Sequence, residues 1–228
     1  MSVEAFIKNL NKENNPSNYE KMAERARELF LAYDRDAMAG KLGLEEDGKY
    51  IYLEFISAHF RLDKETCRVE MRADSKEDSS AGPEERWKPA DYNDVMIIYD
   101  ILAFSETNAH PAFEYTQTQN LAATHNASSY AGAGMNERYA REYTGRAEVL
   151  KKACEALNGT PYGKGDVGMK IPLFKSLAAV ISFWDEDDEF PASINILVDK
   201  NILQYMHYET VWYVSGSLMK RIKEAAAS

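Results

Sequence analysis

Five consecutive carboxylates, Asp185-Glu186-Asp187-Asp188-Glu189, stand between two pairs of bulky residues, Phe183-Trp184 and Phe190-Pro191. Hard cations take six to eight oxygen ligands in tolerant geometry, so Asp185, Asp187, Asp188 and Glu189 are the residues that could hold one. The run lacks the loop glycine and the distant bidentate glutamate of an EF-hand, and a bare acidic run reads first as a solvated tip. Apolar flanks offer a second chemistry. They desolvate a carboxylate, favour its protonated form, and would let Asp185, Asp188 or Glu189 serve as an acid, a base or a ligand-orienting acceptor. The plainer account makes Trp184 and Phe190 core residues at strand ends.

Further along, His207 and Glu209 follow Asp199 closely, and a histidine beside carboxylates can ligate metal or move protons. Helix capping or packing is the simpler role for His207. His59, His110 and His125 are separated by connecting segments, so spacing leaves their convergence on the acids open. The chain carries no H-E-x-x-H, G-x-S-x-G, P-loop or dinucleotide fingerprint. Its two cysteines, Cys67 and Cys154, form no C-x-x-C pair and cannot alone hold a cluster or a cysteine-based zinc site. The sequence specifies no cofactor.

The acids need a scaffold, and the pattern around them supplies one. Leu177–Trp184 and Ile194–Val198 are apolar runs on either side of the acidic segment, which reads as strand, acidic connection, strand. Ahead of them, Gly165-Asp166 introduces a short strand from Val167. Tyr50–Phe55, Phe60–Leu62 and Cys67–Met71 alternate apolar with polar residues and read as a meander with one wet face. Amphipathic spacing predicts helices near 17–39, 91–104, 136–157 and 208–225, the first opened by the capping box Ser17-Asn18-Tyr19-Glu20. A brief helical turn is expected at Asn201–Met206. Residues 73–90 read as a loop or linker pinned by Trp87, and Thr107–Gly134 as a loop available as a lid.

The expectation is therefore an α+β fold, a mostly antiparallel sheet covered by amphipathic helices. Residues 1–72 form an N-terminal helix and meander, 73–90 connect, and 91–228 carry the remaining helices and the central hairpin, packed with the N-terminal part. With 228 residues, 45% of them hydrophobic, the chain can bury a sizeable core without staples. A formal charge of −10 and no basic stripe argue against nucleic acid and membrane surfaces as partners. They leave a small molecule, a cation or a basic protein. No secretory pattern opens the chain and nowhere do 18 apolar residues run together, so a cytoplasmic setting is expected.

From about Asn93 to Lys223 the chain resembles an uncharacterised family of anaerobic bacteria and archaea, some members of which carry an iron–sulfur segment. The resemblance rests on Gly165-Asp166, on Phe183–Ser193 with its tryptophan, acidic and Glu-Phe-Pro-Ala pattern, on Leu197-Val198-Asp199 and on Glu209. Val198 stands where the family pattern has phenylalanine, and no cysteine-rich segment is present. The resemblance implies an anaerobic setting near corrinoid or iron–sulfur metabolism and no established reaction. The functional expectation is a ligand-binding or accessory module. Its pocket would be walled by Trp184 and Phe190, with Asp185, Asp188, Glu189, Asp199, His207 and Glu209 as polar contacts. The alternatives are an enzyme pairing those carboxylates with a histidine for acid/base or metal-assisted chemistry, and a protein-interaction module with an acidic face.

Overall fold

The computed structural model describes residues 18–73, 86–124 and 133–227. Ser17, His125 and most of the expected linker lie outside them. The fold is α+β, with two five-stranded antiparallel sheets where the sequence suggests one.

The first sheet is a meander of β1 (Glu45–Glu46), β2 (Tyr50–Phe55), β3 (Ala58–Asp63), β4 (Val69–Arg72) and β5 (Trp87–Pro89), in that spatial order. β5 lies inside the expected linker. It pairs Trp87 with Arg72 and ends at Pro89, a residue that the outer edge of a sheet tolerates because no donor is needed there.

The second sheet contains β6 (Tyr115–Gln117), β7 (Thr160–Pro161), β8 (Val167–Phe174), β9 (Leu177–Trp184) and β10 (Ser193–Asp199), ordered β6-β10-β9-β8-β7. β9 is the central strand and is buried from Leu177 to Phe183, which explains an unbroken apolar run where a half-wet strand would alternate. The β9–β10 hairpin pairs Trp184 with Ser193 and leaves residues 185–192 as the connection.

Two expected helices are each broken in two. Asp34 caps a new helix by accepting from the Ala37 amide, so the first stretch divides into α1 (Asn18–Phe30) and α2 (Arg35–Leu42). Gly145, at φ 68°, separates α4 (Ala133–Tyr143) from α5 (Ala147–Ala156). The remaining helices, α3 (Tyr92–Phe104) and α6 (Tyr208–Ala227), match the apolar spacing, and a 3₁₀ turn covers Ile202–Gln204.

α3 packs on α6, α5 on α6 and β8, and α4 on β10. One core cluster unites these layers, from Ile51, Phe55 and Phe60 of the first sheet to Ile171, Ile181 and Phe183 of the second and Leu218 of α6. The tight turn between β2 and β3 drives into the second sheet, where the Ile56 amide donates to the Leu173 carbonyl at 2.9 Å. Among the described residues no helix is long and apolar enough to cross a membrane.

Candidate functional site

The 185–192 connection is built from the strand ends outward. Gly165, at φ 110°, lies so close to β9 that a Cβ there would come within 2.4 Å of the Phe183 carbonyl oxygen. Only glycine lets the chain turn against the strand at that distance. The next residue uses the approach: the Asp166 carboxylate accepts from the Asp185 amide at 2.7 Å. Asp185 then turns its own carboxylate to the Gly145 amide at 2.8 Å and to the Glu186 amide at 2.9 Å. The left-handed break between α4 and α5 is thus what presents Gly145 to the acidic segment.

Asp187 closes the tip. Its carboxylate accepts from the Glu189 and Phe190 amides at 2.8 and 2.7 Å, and its amide donates to the Phe190 carbonyl at 3.0 Å. Those two donors hold the Asp187 carboxyl below the usual carboxylate range. Two of the five acids are therefore spent on backbone amides, a use the sequence does not announce. Glu186, Asp188 and Glu189 are exposed, and so are the aromatic flanks, Trp184 at 40% and Phe190 at 66%. The expectation that Trp184 and Phe190 sit in the core as ordinary strand-end packing is overturned, because β9 leaves the core after Phe183 and the turn carries Phe190 outward.

The other candidate residues lie apart from this tip in their bonding. Asp199 is fully buried and accepts from the Ala112 and Phe113 amides at 2.8 Å each and from the Asn201 amide at 2.9 Å. It fastens the segment before β6 to the end of β10. His207 finds its carboxylate in Asp100 of α3: Nδ1 is 2.6 Å from one oxygen, and its amide donates to the other at 2.7 Å. The ring also lies 3.9 Å from that of Phe104. The pair edges an apolar groove of about 270 Å³ lined by Leu29, Tyr33 and Phe104. Glu209 is exposed in the first turn of α6. His110 meets the Asn108 carbonyl at 3.0 Å, and His59 belongs to the first sheet. Among the described residues, no group of three His, Cys, Asp or Glu side chains is arranged to hold a metal ion.

Two larger clefts flank the β2–β3 turn. One, of about 740 Å³, is lined by Tyr52, His59, Trp87 and Lys175 among others; the second, of about 550 Å³, runs toward the end of α6. None of these three cavities is lined by a residue of Trp184–Ala192. Sequence reasoning misses Asp100 and Gly145 and gives Asp166 no bonding role, although all three position the candidate side chains. The Gly165-Asp166 pair is the one signal for them in the sequence, and its role is to seat the tip.

No curated protein and no solved structure is detectably similar to the chain. Residues 34–221 match the family described as Domain of unknown function (DUF3786), a span that takes in both sheets and the 185–192 tip, and the chain belongs to that family.

Proposed function

We propose that the protein is an accessory module that docks on a basic partner protein through its Trp184–Ala192 tip. The observation that carries this reading is the pre-ordered exposure of the tip. Asp185 and Asp187 are tied to backbone amides, while Trp184, Glu186, Asp188, Glu189 and Phe190 face outward. A loop already fixed in shape loses little freedom on binding, and an exposed tryptophan rimmed by charge has the composition of an interface hot spot. The acids would guide a basic surface and the two aromatic rings would anchor it. This places Trp184, Asp188, Glu189 and Phe190 in contact with the partner, with Asp185 as a positioning residue. A cytoplasmic, anaerobic setting belongs to the same reading; two buried free thiols, Cys67 and Cys154, suit a reducing compartment.

The test is affinity capture from native host extract under anaerobic conditions, with the partner identified by mass spectrometry and the complex rebuilt from purified proteins. Trp184→Ala with Phe190→Ala should leave the melting temperature near that of the wild type and weaken the rebuilt complex about 30-fold or more, the effect of losing one hot spot of ~2 kcal/mol. Glu186→Gln, Asp188→Asn and Glu189→Gln together should slow association and remove most of its salt dependence. A partner held equally well by both variants would sink the proposal.

A further inference from the structure

The 550 Å³ cleft is basic on a protein whose formal charge is −10. Among the described residues, Arg72, Arg86, Arg221 and His59 line it, with one carboxylate, Glu224. Strand pairing and helix packing bring these distant residues together. Antiparallel pairing of β4 with β5 sets Arg72 opposite Trp87, and the Ala73 amide donates to the Arg86 carbonyl at 2.7 Å, so two arginines emerge from neighbouring strand ends. Arg221 enters from α6, with one terminal nitrogen 3.4 Å from the Met71 sulfur and the other 2.7 Å from the buried Asp94 carboxylate.

The donors there are under-used. Arg221 is only 6% exposed, and among the described residues its Nε has no hydrogen-bond partner. The buried Nε of Arg86 has none either. A buried guanidinium donor left unpaired is costly, and an anion in the cleft would satisfy it. The floor is apolar, formed by Ile56, Met71 and Leu157.

We propose that this cleft is a binding site for a phosphorylated small molecule, its phosphoryl group held by Arg72, Arg86 and Arg221 and its organic part lying on the apolar floor. A carboxylate offers one two-oxygen edge, suited to a single guanidinium fork. A phosphoryl group offers three oxygens and a double charge, which suits two guanidinium forks from neighbouring strand ends together with the Nε donor that Arg221 keeps free while its terminal nitrogens face Met71 and Asp94. The volume fits a ligand larger than the phosphoryl group itself. This site is independent of the tip and does not depend on its having a partner.

Inorganic phosphate is the probe, titrated into the full-length protein at constant ionic strength with chloride as the balancing anion and followed by phosphorus NMR and calorimetry. Saturable binding in the millimolar range is expected, with succinate at least about tenfold weaker. Arg72→Gln with Arg86→Gln, both outside the core, should weaken phosphate at least about tenfold while leaving circular dichroism unchanged. Arg221→Lys keeps a charge opposite Asp94 but loses the unpartnered Nε donor, and should also weaken it. The assignment is overturned if phosphate fails to saturate, if succinate binds as well, or if the double variant binds like the wild type.

Discussion

Replacing Asp199 by alanine tests most directly whether that carboxylate is a structural tie or a ligand contact. It is fully buried and accepts three backbone amides, Ala112, Phe113 and Asn201, at 2.8, 2.8 and 2.9 Å. A hydrogen bond to a charged group contributes ~1.5–3 kcal/mol, and an amide stranded in the interior costs a similar amount. Phe113 is exposed and Ala112 and Asn201 are only part-buried, so all three amides can regain some water and each share falls to roughly 1–1.7 kcal/mol, at or just below the low end of that range. The sum for Asp199→Ala is then roughly 3–5 kcal/mol. In a chain of this size each kcal/mol moves the melting temperature by roughly 2–4 °C, so the drop should be roughly 6–20 °C. Asp199→Asn should cost about half as much. Its amide oxygen can keep the position that serves Ala112 and Asn201, but its NH₂ group then meets the Phe113 amide donor to donor. The assay is urea unfolding, read as a fall in midpoint at unchanged slope, since the surface exposed on unfolding stays the same. Should Asp199→Ala lie within about 0.5 kcal/mol of the wild type, the three bonds do not hold the loop, and the reasoning fails.

Three further outcomes are expected. Gly165→Ala should destabilise by more than about 2 kcal/mol, because the position combines a left-handed φ with a Cβ clash against a β9 carbonyl that cannot retreat; a neutral result in urea unfolding would contradict the seating of the tip. Burial, opposed by Arg221, raises the Asp94 carboxyl, so its contribution to stability is complete below the unfolded value of about 3.9 and is lost as pH rises through the folded value. Unfolding midpoints of Asp94→Asn relative to wild type should therefore move in the variant's favour as pH rises from about 4 to about 7, and a constant difference would refute the assignment. Burial also lifts Cys154 to about 12 and raises Cys67, so both thiols should react with iodoacetamide only on unfolding, as mass spectrometry of native and urea-treated protein can show.

What the sequence makes legible follows the strength of its periodic signals. Tyr92–Phe104 and Tyr208–Ala227 bury apolar residues at helical spacing, and the hairpin around residues 185–192 is bounded by two apolar runs, so these elements stand where the pattern places them. The breaks at Asp34 and Gly145 do not interrupt the apolar spacing. They are local events, a side-chain cap and a left-handed glycine, superimposed on a continuing pattern. Strands of two or three residues such as β1, β5 and β7 are too short to show a period, which is why the first sheet and the second are not separable in the sequence. At the tip, the run of acids is visible but its division of labour is not. Nothing in five adjacent carboxylates says that the first and third face backbone amides. The basic cleft is less legible still. Arg221 lies on the last helix and turns inward to Asp94, and its companions Arg72 and Arg86 come from the end of β4 and the approach to β5, far away in the sequence.

The β2–β3 turn explains how the two sheets and the two clefts become one arrangement. Ile56 and Ser57 both sit at positive φ, 46° and 56°, a conformation that a β-branched residue adopts at a cost of ~1–3 kcal/mol. Glycine or asparagine would relieve that strain, but neither would fill the space: Ile56 is fully buried, and burying such a side chain contributes ~1.5–3 kcal/mol. The two magnitudes are comparable, so the turn persists where tertiary bonds tip the balance. The Ile56 amide supplies one bond, to Leu173. The Ser57 hydroxyl supplies another, donating to the Leu157 carbonyl at 3.1 Å while accepting from the Asn158 side chain at 3.0 Å. These contacts reach β8 and the end of α5, so the turn is a rivet between the first sheet and the second. Ser57 and His59 line both clefts because the rivet is the wall between them. Strain at this point is therefore the cost of fastening the first sheet to β8 and to the end of α5, and the same bonds keep the two clefts apart as separate spaces.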